Sequence, residues 1–159
     1  TERLADMLRY TIEAGRRPAT LLSEEIAFVE DYLGVASERY ESQLSFEYRG
    51  PPELLSIAVP PLLLQPLVEN SLKHGCPSGA GSLQLLLIAR EERGLVTLEF
   101  ADDGSRNGAH PPGLGVGLQN LEQRVRRFGG SDASMQAMAR PGGGFSVTLR
   151  WRTQEESRA

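Results

Sequence analysis

The stretch from Val59 to Gly75, VPPLLLQPLVENSLKHG, limits the folds open to this chain more than any other. Pro60 and Pro61 suit an extended approach and a first helical turn, and Gly75 with Pro77 suits an exit. Pro66 lies inside the run, so the spacing predicts an irregular first turn or a helix that begins late. Leu63, Leu67 and Leu72 continue a core face, yet the run closes on Glu69, Asn70, Lys73 and His74. Polar side chains of both signs at the edge of a core converge on a groove. The plainer alternative is a surface ion pair between Glu69 and Lys73, four residues apart and worth about 0.2–0.5 kcal/mol. Asn70 and His74 repeat that spacing one step round the same helix.

The flanking segments supply the other layers. Leu4, Met7, Leu8, Tyr10 and Ile12 form a loose helical stripe stopped by Gly15 and Pro18. Ser23 followed by Glu24 and Glu25 reads as a capped helix start with acids at the positive end of the macrodipole. Ile26, Val29, Leu33, Ala36 and Tyr40 then predict a helix over 23–42. LSFEYRG alternates as a strand, 83–89 and 95–100 make two strands around the turn EERG, and LQNLEQRVRRFGG is a helix closed by Gly129. ASMQAMA and FSVTLRW finish as a hairpin joined by RPGGG, and TQEESRA is expected to fray. Helices and strands in this order, without the βαβ spacing of a doubly wound fold, predict an α/β (α+β) two-layer sandwich.

The 159 residues suffice for one domain, and 40% apolar with 24% charged residues is globular. A net charge of -4 argues against a duplex-binding surface, so no nucleic-acid partner is expected, although an anionic ligand remains compatible with a small cationic or amide-lined pocket. Cys76 is the only cysteine, which excludes an internal disulfide and suits a cytosolic setting. No apolar run reaches the roughly 18 residues of a membrane span. The chain opens on Thr1, as a piece of something longer would.

Two further stretches carry chemistry. In FADDGSRNG a strand ends in Asp102, an acceptor, followed by Gly104, which lets the chain turn and a ligand approach the backbone. In GLGVGLQNL, Gly113, Gly115 and Gly117 precede a helix whose free N–H groups form a natural phosphate site. Neither a P-loop nor the dinucleotide fingerprint is present. Alone, the first is an ordinary Asp-Gly turn and the second a flexible linker.

Taken in order, the three stretches resemble the N, G1 and G2 boxes of the GHKL (Bergerat-fold) ATP-binding domain, which has a mixed, mostly antiparallel sheet packed on helices. PPLLLQPLVEN, with the upstream LADMLRYTIE and LSEEIAFVEDYLGVASERY, is similar more narrowly to the LytS/YehU-type sensor histidine kinases. The resemblance covers roughly Leu4 to Trp151. It implies residues 1–17 as the end of a dimerisation and phosphoacceptor helical region, 18–152 as the catalytic domain and 153–159 as a tail. It implies ATP and Mg²⁺ as cofactors, with Asn70 as metal ligand and Glu69, Asn70 and Lys73 as the catalytic group. Lys73 and His74 would face the phosphates, Asp102 the adenine amine, Gly104 an open pocket, and Gly113, Gly115 and Gly117 a lid, with Leu118 opening the next helix.

The resemblance also implies a homodimer, a phosphoacceptor histidine upstream of Thr1 in a Pro-His-Phe context, a LytTR-type response regulator and a cytoplasmic place behind an inner-membrane sensor. Neither His74 nor His110 has the acceptor's context, so this chain is expected to bind ATP without phosphorylating itself. Arg106 stands where the family has a second G1 glycine, and Gly144-Phe145 where it has Gly-Thr, with Ser146 as the candidate replacement. Those departures favour one competing reading, a non-catalytic adapter that keeps the fold for dimerisation or partner binding. Another is a GHKL serine kinase of the anti-sigma type, against which the long segment before Gly50 argues.

Overall fold

The computed structural model describes residues 2–77, 79–104 and 115–153. In chain order the elements are α1 (Glu2–Ala14), β1 (Thr20–Leu21), α2 (Leu22–Ala36), β2 (Gln43–Arg49), β3 (Ala58–Val59), α3 (Gln65–Gly75), β4 (Ser82–Glu92), β5 (Leu95–Asp102), α4 (Val116–Gly129), β6 (Ser134–Ala139) and β7 (Phe145–Arg152). Five strands form one sheet in the order β2-β4-β5-β7-β6, with β2 and β4 parallel and the other neighbours antiparallel. The two-residue strands β1 and β3 pair separately.

The alternation along the strands decides where the core lies. Leu83, Leu85 and Leu87 of β4, Val96, Leu98 and Phe100 of β5, and Val147, Leu149 and Trp151 of β7 are buried on one face. Helices cover that face with Val29 and Leu33 from α2, Leu67, Val68 and Leu72 from α3, and Leu121 and Val125 from α4. Each such side chain contributes about 1.5–3 kcal/mol relative to exposure. Trp151 is 2% exposed, pairs with Val96 and takes the Phe128 ring edge-on at 5.8 Å. This is the two-layer sandwich expected from the residues.

Three local differences have physical causes. Leu21, rather than Ser23, occupies the N-cap of α2, and Glu24 reaches back to accept from Leu21 N at 3.1 Å. The helix stops at Ala36 although the apolar spacing continues to Tyr40. There Ser37 Oγ donates to Gly34 O at 2.8 Å, and the chain turns so that Gln43 N can reach Gly81 O at 2.8 Å. Pro66 falls in the first turn of α3, which therefore begins late, as its position predicts. Just before it, Leu62 takes φ of 57°, a conformation unusual for a residue with a side chain.

Candidate functional site

Asp102 ends β5 on the helix-facing side, and it is 1% exposed. Ser71 Oγ, from the middle of α3, donates to its Oδ2 at 2.7 Å, and Gly104 N donates to its Oδ1 at 3.0 Å. The helix and the strand end meet closely because both are glycine where they touch. A methyl group on Gly104 would collide with the Cα and O of Gly75. From the other side, Arg140 Nη1 donates to Asp102 O at 2.9 Å, while Gly144, at φ 93°, leaves no room for a Cβ against that same oxygen.

Ser71 was not among the residues singled out from the sequence. A serine in the buried stripe with Leu67, Val68, Leu72 and Gly75 was the available signal. Ser71→Ala removes a hydroxyl donor from a buried carboxyl group. It is expected to cost about 1.5–3 kcal/mol, read as a lower urea midpoint at unchanged slope. A midpoint equal to the parent's would mean that Asp102 is held without Ser71.

Around α3 each residue advances about 100°. Ser71 and Gly75 share the face turned to Asp102, Asn70 and His74 the next, and Glu69 and Lys73 the one after. Asn70 is half-buried, whereas Glu69, Lys73 and His74 are exposed. Glu69 accepts from Gln65 Nε2 at 3.0 Å, and among the described residues it forms no ion pair with Lys73.

A groove of about 560 Å³ separates the first half of α3 from α4, with Gln65, Pro66 and Glu69 on one wall and Asn120, Gln123 and Arg127 on the other. Of the described residues expected to form the site, Glu69 lines this groove, while Asn70 and Asp102 do not. Glu69 also borders a smaller cavity of about 200 Å³ with Met7, Tyr32 and Arg39. Burial and then the charge of Glu69 push the Tyr32 phenol above its ordinary range.

At the start of α4, Gly115 is the N-cap and Leu118 is buried. Among the described residues, nothing lies within 4 Å of where a Cβ would stand on Gly115 or Gly117. Gly113, Arg106 and His110 lie outside the described residues. The β5–β7 register sets Phe145 opposite Asp102 and Ser146 opposite Ala101. Ser146 therefore faces away from Asp102 and does not take the place of the expected threonine.

Solved structures of the same shape decide the fold. The catalytic domain of histidine kinase ThkA, in a nucleotide-free form, aligns with a TM-score of 0.62 at 14% identity, over 84% of this chain and 94% of that one. The histidine kinase domain of the Erythrobacter litoralis EL346 blue-light activated kinase aligns with a TM-score of 0.63 at 16% identity, over 99% and 76%. The fold is that of a histidine kinase catalytic domain.

Sequence relatives give this histidine-kinase-type domain a LytS-like character. The profile of the family described as histidine kinase matches residues 1–44. Sensor histidine kinase BtsS of Escherichia coli K12 is 29% identical over 143 residues, and sensor protein LytS of Bacillus subtilis 168 is 25% identical over 159. These alignments take in 87% and 92% of this chain but only 26% and 27% of the relatives, so the chain spans about a quarter of their length. No described helix is long and apolar enough to cross a membrane.

Proposed function

We propose that this domain binds Mg-ATP along α3 and passes the γ-phosphoryl group to a histidine outside this sequence, as part of a sensor histidine kinase. The observation that carries the reading is the buried Asp102, fixed between α3 and the strand end by Ser71 and Gly104. A carboxyl group held in this way is an acceptor aimed by its surroundings, suited to the exocyclic amine of adenine. Gly104 leaves the backbone bare beside it. Gly113, Gly115 and Gly117 would let the chain approach the phosphates, with Leu118 anchoring α4 behind them.

From the Asp102 face, the next faces of α3 offer Asn70 with His74, then Glu69 with Lys73. In this reading the base lies on the first of these faces and the phosphates cross the second and third. The described residues contain no group of three His, Cys, Asp or Glu side chains that would cage a metal. Mg²⁺ does not require one, since it takes few protein oxygens together with phosphates and waters. The Asn70 amide oxygen fits that demand, with Glu69 near enough in sequence to polarise the reacting group. Bound Mg²⁺ would supply charge neutralisation between phosphate oxygens. Lys73 and His74 would add cationic and donor groups beside them.

The partners follow from the same reading. Leu4, Leu8 and Ile12 are 47%, 58% and 60% exposed at a spacing of four on α1. That stripe supports a helical partner there, either the acceptor hairpin or a second protomer. A LytTR-type response regulator and a cytoplasmic position complete the proposal. Phe145, opposite Asp102 where the family has threonine, favours the adapter alternative, in which the fold no longer takes nucleotide.

Melting with and without Mg-ATP separates the two readings. At 100 times its dissociation constant a ligand adds about 2.7 kcal/mol, so the kinase reading expects a rise of several degrees in Tm. Asn70→Ala is expected to remove the magnesium-dependent part of that rise while leaving the nucleotide-free Tm within about 2 °C of the parent. No shift at millimolar Mg-ATP in the parent would favour the adapter.

A further inference from the structure

Glu25 lies far in sequence from the boxes described above, yet among the described residues it is the largest buried ionisable side chain, at 0% exposure. Four donors from three separate parts of the chain converge on its carboxyl group. Tyr10 Oη of α1 donates to Oε1 at 2.7 Å, and Thr20 Oγ1 of β1 donates to the same oxygen at 3.2 Å. Leu62 N donates to Oε1 at 2.8 Å and Leu64 N to Oε2 at 3.1 Å. Burial, with the adjacent Glu25 charge, pushes the Tyr10 phenol far above its usual range, so it stays a donor.

The backbone that Glu25 grips is the strained turn before α3. Leu62 holds φ of 57° there, and such a conformation persists only where its surroundings over-determine it. Arg124 of α4 grips the same turn from the opposite side, donating from Nη1 to Pro61 O at 2.7 Å and Leu62 O at 3.1 Å. Carboxyl and guanidinium thus satisfy the N–H and C=O groups of one short segment. Leu64, whose N–H goes to Glu25, receives the first helical hydrogen bond of α3 from Val68 N at 3.0 Å. Asn70 follows in the next turn.

We propose that Glu25 is a positioning residue that sets the start of α3, and with it Asn70, and that Tyr10 makes this setting depend on where α1 sits. The far end of α3 has its own anchor, the backbone contact of Gly75 with Gly104 beside Asp102. Loosening the Glu25 end therefore swings Asn70 and Glu69 while sparing the Asp102 pocket. The consequence for binding rests on the nucleotide reading above; the consequence for α3 does not.

The test compares Glu25→Gln and Tyr10→Phe with the parent in three measurements: Kd for Mg-ATP, Kd for metal-free ADP, and residue-resolved amide exchange. Glu25→Gln is expected to weaken Mg-ATP about tenfold and metal-free ADP less than about twofold. Tyr10→Phe is expected to act in the same direction, about threefold on Mg-ATP. Exchange should quicken at Leu62, Leu64 and Val68 in both variants and stay unchanged at Leu98 and Leu149 of the sheet. Equal weakening of both nucleotides, or exchange rising through the sheet as well, would mean general destabilisation and would overturn the proposal. An unchanged Mg-ATP Kd in a folded Glu25→Gln would also overturn it. If the parent binds neither nucleotide, the site reading fails, and exchange alone decides: Tyr10→Phe without effect at Leu62, Leu64 and Val68 ends the relay.

Discussion

Asp102→Ala is expected to abolish the stabilisation of this domain by Mg-ATP, with affinity falling by at least about 100-fold. A site built to hydrogen-bond one polar group loses far more than a van der Waals contact when that group goes, because the partners stay buried and unpaired. In the free domain those partners include Ser71 Oγ and Gly104 N, so the alanine variant should also unfold at lower urea, by about 1–3 kcal/mol. Asp102→Asn separates the two effects. Its amide oxygen still accepts from Ser71, but its NH₂ meets either the Gly104 N–H or the adenine amine, donor against donor. The asparagine variant should therefore keep most of the fold's stability and lose its preference for adenine over guanine nucleotides. Nucleotide titrations of both variants against a urea series provide the check. If Asp102→Asn binds ATP as the parent does, Asp102 does not read the base.

The second large effect is steric. Gly104→Ala would place a methyl group into the Gly75 backbone, and neither side of that contact is the flexible end of a side chain. The end of α3 or the end of β5 has to move, at an expected cost of about 3 kcal/mol, read as a lower denaturation midpoint. Because the same movement separates Ser71 from Asp102, Mg-ATP stabilisation should disappear with it. Gly75→Ala is the milder partner experiment: its methyl would stand 3.3 Å from Asp102 Oδ1 and 3.4 Å from Gly104 Cα, tight contacts rather than collisions. Equal stability losses in the two variants would contradict the tight seam.

What was legible in the sequence was local. Leu83 to Ala89 and Leu95 to Phe100 read as apolar strands around the EERG turn, Leu118 to Phe128 repeat at helical spacing, and Pro66 delays α3; each is visible within a dozen residues. The boxes were legible because Glu69, Asn70, Asp102 and the glycines keep a recognisable order. Glu25 was not. Behind a serine and another acid it reads as a surface charge at a helix start, whereas its donors Leu62 and Leu64 are 37 and 39 residues away. Ser71 was hidden for the same reason, its partner lying 31 residues on. The end of α2 was overrun because Tyr40 keeps the apolar spacing from just beyond the turn at 37–39. Ser146 misled by proximity to the family's threonine position: one residue along a strand reverses the face.

The placement of Trp151 gives the domain a natural optical reporter. It is the only tryptophan, sealed against Phe128 and paired with Val96, six strand positions from Asp102 along β5, or about 20 Å. Its ultraviolet emission should be blue while the sandwich holds and shift red when the layers part. At that distance a bound purine leaves the indole's surroundings alone, so a melting curve followed by this emission records loss of the fold without interference from the ligand.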